Sequence, residues 1–199
     1  MAPPASQFEF LRAEWPTVFE SAVRAAAAVY PDPRTACFYS RRALELAVAW
    51  AYKSDASLRL PYQDNLSALI HEPSFKAAAG EAVFNKARIV NQLGNQAVHS
   101  HRVIQQLDAV NSVRELFHVC YWLARTYARG AKPSAGLGFD ANLLPKTAPV
   151  RHWHGLASLE TGSRGCFLLV EVRRESQGRH RRRKASPCRP QRGLANVGA

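Results

Sequence analysis

The chain has 199 residues, 47% of them hydrophobic, with four cysteines and a formal net charge of +12. That length suits one domain with an appendage, and no run of ~18 apolar residues offers a transmembrane span. The opening MAPPASQFEF lacks a basic stretch leading into an apolar one, so no secretory signal is read, the expected compartment is the cytoplasm, and no membrane partner is expected.

The excess charge is uneven. Residues 1–146 hold 16 Lys/Arg against 12 Asp/Glu, whereas residues 147–199 hold 11 against 3, so two thirds of the surplus sits in the last quarter. The four cysteines (Cys37, Cys120, Cys166, Cys188) form no Cys-x-x-Cys pair, and no Cys/His spacing resembles a zinc site. Cys37 and Cys120 fall in apolar helical patterns and read as small buried residues. His152-Trp-His154 has no partner carboxylate or thiol nearby, so no metal and no cofactor is expected.

Residues 1–7 are Pro/Ala-rich and read as a disordered N-terminus. A helical domain is expected over residues 8–130. Phe8 and Leu11 open an apolar pattern, and Trp15-Pro16 breaks it, with Pro16 as the first residue of a helix that runs to about Val29. Tyr30-Pro31-Asp32-Pro33 is a firm stop. Asp32 is a good N-cap and Pro33 a good first residue for a second helix to about Lys53. Its inward stripe reads Cys37, Ser40, Ala43, Leu44, Ala47, Trp50 and Ala51, and Arg41 is spaced to pair with Glu45.

After a loop, Asp64 reads as the N-cap of a short helix through Ile70, closed by His71-Glu72-Pro73. His71 suits a helix C-terminus electrostatically, which is reading enough for it. Ser74 is expected to cap a further short segment before Gly80. A central helix then covers about Glu81 to Val98, with Val83, Ala87, Val90, Leu93 and Ala97 facing inward. A last long helix is expected from about Ile104 to Ala128, with Leu107, Val110, Val113, Phe117, Cys120 and Ala124 on its apolar face. Gly130 and Pro133 stop it. Short connections and the lack of any strand pattern before residue 150 imply an all-α, antiparallel helical bundle.

The central helix carries the functional candidates. At ~3.6 residues per turn, Arg88, Gln92, Asn95 and His99 fall on one stripe, with Asn91 beside it. Such a polar face can simply be solvated, or it can contact another subunit, nucleic acid or a nucleotide. Gly94 is a poor helix former and calls for a packing reason.

The run GNQAVHS, with FEFLRAEWP, YPDPRTACFYSRRALELAVAW and LPYQDNLSALI before it, resembles the N-terminal helical domain of type I restriction endonuclease restriction subunits. That domain is similar to HEPN bundles, many of which are ribonucleases, toxins or nucleotide-binding modules. The resemblance spans roughly residues 8–145 and implies a HEPN-like fold with other restriction-modification subunits as partners. HEPN nucleases carry an Arg, a polar residue and then a His. Laid on this chain, the polar residue and His fall on Asn95 and His99, but the Arg falls on Gly94. The charge that would stabilise a phosphorane-like transition state is missing there, so the resemblance implies a non-catalytic relative. The alternative is a HEPN-type endoribonuclease with His99 as acid–base and Arg88 or Arg102 supplying charge.

Residues 131–150 read as a Gly/Pro/Ala-rich linker, and residues 151–199 as an Arg-rich tail without helical period. Two readings of the tail stand. Arg179, Arg181, Arg182, Arg183 and Lys184 could grip DNA or RNA phosphates from a disordered arm. The loss of the resemblance near Pro149 and the abrupt change in composition favour the other reading, out-of-frame translation of a GC-rich gene, which makes the chain a fragment. GCFLLVEV (165–172) could pair as a strand but has no sheet to join.

Overall fold

A computed structural model describes residues 6–146, which lie in one compact unit. Five α-helices carry that unit, α1 (Pro16–Ala28), α2 (Pro33–Ser54), α3 (Leu66–His71), α4 (Pro73–His99) and α5 (Gln106–Tyr127), with 3-10 turns at Glu9–Leu11 and Ala141–Leu143. No strand occurs among the described residues, and none of their helices is long and apolar enough to cross a membrane. The all-helical expectation holds. The expectations for residues 1–5 and for the tail, including Arg179, Arg181, Arg182, Arg183, Lys184 and the two histidines at 152 and 154, concern residues outside the described ones.

α2 is the element the others pack on: it touches α1, α4 and α5, and α4 in turn packs on α5 and α3. Paired residues give the directions. Trp15 meets Trp50 and Arg24 meets Tyr39, so α1 and α2 run antiparallel. Arg34 meets Ala97 while Arg41 meets Gly94, so α2 and α4 are antiparallel as well. Lys86 meets Glu115 and Phe75 meets Trp122, which sets α4 antiparallel to α5.

The helix boundaries follow local chemistry. Asp32 caps α2 by accepting the Thr35 N–H, and Pro33 supplies a preset first turn. The stripe expected on α2 is buried except for Trp50, which is half-buried. Four details differ from the sequence expectation. Asn65, not Asp64, caps α3, its side chain accepting the Ala68 N–H. Glu72, not Ser74, caps α4, and Ser74 turns back to donate to the Glu72 carboxylate. α5 begins at Gln106, where Gln105 and Asp108 form a reciprocal capping box, so Ile104 packs from the connection and Leu107 is exposed. The segment expected as linker lies along the bundle over its described part: Phe139 packs on Phe117, Leu144 is buried, and Tyr121 donates to the Ser134 carbonyl.

Gly80 divides α4. Its φ of +78° and ψ of 161° lie in a region that only glycine enters without strain, so the helix changes course there before resuming at Glu81. The core is aromatic at both ends. Phe117 gathers Phe8, Phe10 and Phe139, while Trp15, Trp50, Tyr127, Trp122 and Phe75 form a chain of edge-to-face contacts. Cys37 and Cys120 are free and buried, and burial pushes the Cys37 thiol up to about 11.

Candidate functional site: the polar face of α4

After Gly80, α4 runs unbroken to His99 with Ala87, Val90 and Ala97 buried toward α2 and α5. The opposite face is polar because the same period that buries those residues turns Arg88, Gln92 and Asn95 outward. A cleft of about 380 Å3 forms there, lined by His71, Arg88, Asn91, Gln92, Asn95 and Gln96. Four of the five expected stripe residues are thus brought together. The fifth, His99, is exposed at the end of α4 and does not line the cleft. Eleven residues separate it from Arg88, about 16 Å along the axis at 1.5 Å per residue.

His71 is the member that sequence reasoning set aside. It enters from the end of α3 because α3 packs on α4. Its Nδ1 lies 2.7 Å from the Ser67 carbonyl oxygen, which can only accept. The proton of the neutral ring therefore sits on Nδ1, and Nε2 keeps its lone pair. The ring stands edge-on to Phe84 at 5.5 Å, and the Arg88 guanidinium lies over the same ring at 5.6 Å. Phe84 thus spaces the imidazole and the guanidinium. Arg88 also donates to the Asn85 side-chain oxygen at 3.3 Å, a long contact that leaves most of its donors available.

Asn91 is buried, with 7% of its surface exposed, so it forms the inner wall of the cleft and not part of an outward stripe. Its Oδ1 has no hydrogen-bond partner among the described residues, and neither has the buried Nε of Arg41. Gly94 explains why α2 comes so close. A Cβ at residue 94 would stand 2.3 Å from the Arg41 Cβ and 2.7 Å from its Cδ, so the Arg41 side chain passes over a position that must be bare. Arg41 itself reaches Glu45 only at 4.0 Å, the loose form of the expected pair.

Two structural ties hold α4 in place. Arg34 of α2 donates Nη1 to the carbonyls of Ala97 (2.6 Å) and Ser100 (2.9 Å), and Nη2 to that of Arg102 (2.6 Å). On the other side, buried Glu115 of α5 accepts from Lys86 at 2.8 Å and from Arg114 at 3.0 Å. Burial pushes the Glu115 carboxyl up, but the two cations outweigh it and hold the group below the ordinary glutamate value. The cleft thus offers hydrogen-bonding amides and one guanidinium from α4, and one imidazole from the end of α3. Among the described residues no three His, Cys, Asp or Glu side chains gather in a way that could hold a metal ion.

No curated protein and no solved structure matches the chain. The family of the domain of unknown function DUF4145 matches residues 23–144, more than half of the chain and nearly the whole bundle from within α1 to the buried Leu144. The chain belongs to the DUF4145 family.

Proposed function

We propose that the chain is a non-catalytic helical interaction module of the kind found at the N-terminus of type I restriction endonuclease restriction subunits. Its polar α4 face, with Arg88, Asn91, Gln92 and Asn95, meets another subunit of the restriction-modification system. The supporting observation is Gly94. In the nuclease pattern that position carries the Arg that stabilises transition-state charge, and here it is buried under Arg41 with no room for even a methyl group. The distance along α4 from Arg88 to His99 weighs the same way. The sequence also has no GxxxxGK[ST] loop and no Asp-Glu-x-His box, the parts with which a helicase motor hydrolyses ATP.

The test is co-purification of the full chain with the methyltransferase and specificity subunits of a type I system. An Arg88→Ala, Gln92→Ala, Asn95→Ala triple variant is expected to lose that association while keeping its helical signal. The purified chain should show background ATPase and DNA cleavage, and robust activity in either would overturn the reading. Single-stranded RNA should also survive. Cleavage that disappears in His99→Ala would establish the alternative, a HEPN-type endoribonuclease.

A further inference from the structure

The side chains lining the α4 cleft are one guanidinium, one imidazole and four primary amides, and no carboxylate is among them. The amides belong to Asn91, Gln92, Asn95 and Gln96. At positions i, i+1, i+4 and i+5 they form a double row along one side of the helix. None of the four makes a side-chain hydrogen bond among the described residues. Asn91 is the inner wall, 7% exposed, and its Oδ1 has no donor. A buried amide left incomplete is costly, which marks this wall as a place where a second molecule supplies the missing group.

The chemistry of the lining matches main chain. A primary amide offers donors and an acceptor side by side, the complement of a peptide group. His71 adds an acceptor, because its Nδ1 proton is directed to the Ser67 carbonyl and Nε2 keeps its lone pair. From Arg88 to Gln96 the face measures about 12 Å at 1.5 Å per residue, the length of roughly three to four residues of extended chain.

The charge at the rim is positive. Arg88 is the one cation in the lining. The carboxylate it acts on is Glu81, which Lys76 already holds at 2.7 Å and on which Arg88 is the weakest influence. Lys76 and Arg88 both lie over the Phe84 ring, at 4.9 and 5.6 Å, so two cations share one carboxylate there. Glu72 is turned to the N–H and hydroxyl of Ser74 and does not line the cleft.

A nucleotide suits this site less well. Phe84 is buried and its ring is met by His71, Lys76 and Arg88, so no ring face is open to a base. The amides lie inside α4, where main-chain N–H groups are spent within the helix and none is left for a phosphate.

We infer that the cleft takes a short extended peptide segment of the partner subunit. Its main chain is held by the α4 amides and His71 Nε2, and one carboxylate on it is held by Arg88. The inference rests on the interaction-module reading and specifies what the polar face meets.

NMR titration of the full chain tests it, read at the Arg88 Nε–H and the side-chain amides of Asn91, Gln92 and Asn95. The probes are the blocked peptide acetyl-Ala-Glu-Ala-Ala-amide, its Gln counterpart and AMP. The glutamyl peptide should give saturable shifts at these groups, and the Gln peptide should bind at least fivefold more weakly. Arg88→Gln, at an exposed side chain, should erase that difference. Gln92→Ala, also exposed, should weaken both peptides by a similar factor, roughly threefold to tenfold. Absence of saturable shifts, equal binding of the two peptides, or AMP binding more tightly at the same groups would each overturn the inference. If the peptides fail while the triple variant still loses the other subunits, the interaction module stands and this mode of contact falls. Peptide binding without any association with those subunits would do the reverse.

Discussion

Arg41 of α2 crosses α4 directly over Gly94, and the space a Cβ would need at residue 94 is already filled by the first carbons of the Arg41 side chain. Because the nearest of these, the Arg41 Cβ, is attached to the α2 backbone, no rotamer change can move it aside. In an unencumbered helix, Gly94→Ala would gain about 1 kcal/mol of propensity. Here overpacking outweighs that gain, and a net loss of roughly 1–3 kcal/mol is expected in urea unfolding. Adding Arg41→Gly removes the blocking carbons. The double variant should be more stable than the sum of the two single effects, and strict additivity would mean that the contact is not the cause.

Arg34 contributes through three main-chain acceptors at the end of α4. Its fork cannot be reproduced by an ammonium, so Arg34→Lys should lose roughly 1–2 kcal/mol and Arg34→Ala about 2–4 kcal/mol. Hydrogen exchange read over residues 98–105 should accelerate in both. An unchanged exchange pattern would count against the tie.

Glu14 links stability to pH. The backbone N–H groups of Arg129 and Gly130 hold its carboxyl below the ordinary glutamate value of 4.5. A group depressed in the folded state stabilises above its unfolded value, and that contribution fades as pH falls through the lower folded value. An NMR titration should therefore show Glu14 and the Gly130 amide shifting together below 4.5. In Glu14→Gln the Gly130 amide should stay flat over that range.

Glu115 is buried between Lys86 and Arg114, so removing the closer cation leaves a carboxylate with only a half-exposed partner. Lys86→Met is expected to cost about 2 kcal/mol at pH 7. Lys86→Met with Glu115→Leu should recover most of that loss. Chemical denaturation of the two variants checks it, and a double variant no better than the single would refute the pair's role.

The long helices were legible because their signals are local. Asp32-Pro33 announces α2, and an apolar residue every three or four positions announces α4 and α5. Gly80 was legible as a break, since few residues other than glycine accept its backbone angles. The caps of α3 and α4 were each misplaced by one or two residues, because Asp64 and Asn65, or Glu72 and Ser74, carry equivalent acceptors and only the final backbone path selects one. The packing of residues 131–146 could not be read at all: Phe139 on Phe117 and Leu144 in the core are long-range contacts without a period. For the same reason the cleft was half legible. Arg88, Gln92 and Asn95 share a helix face, whereas His71 arrives from another element through tertiary packing alone.

The Arg34 tie has a consequence for how this bundle can vary. All three of its acceptors are peptide oxygens, so the contact reads the path of the chain between α4 and α5 and is blind to the side chains there. His99, His101, Arg102 and Val103 are all exposed along that path. Those exposed positions can therefore be rewritten one by one at little energetic penalty, provided one arginine stays at the start of α2 and Ile104 keeps its place in the core. In this fold the freedom of one segment is secured by the rigidity demanded of a single residue far away in sequence.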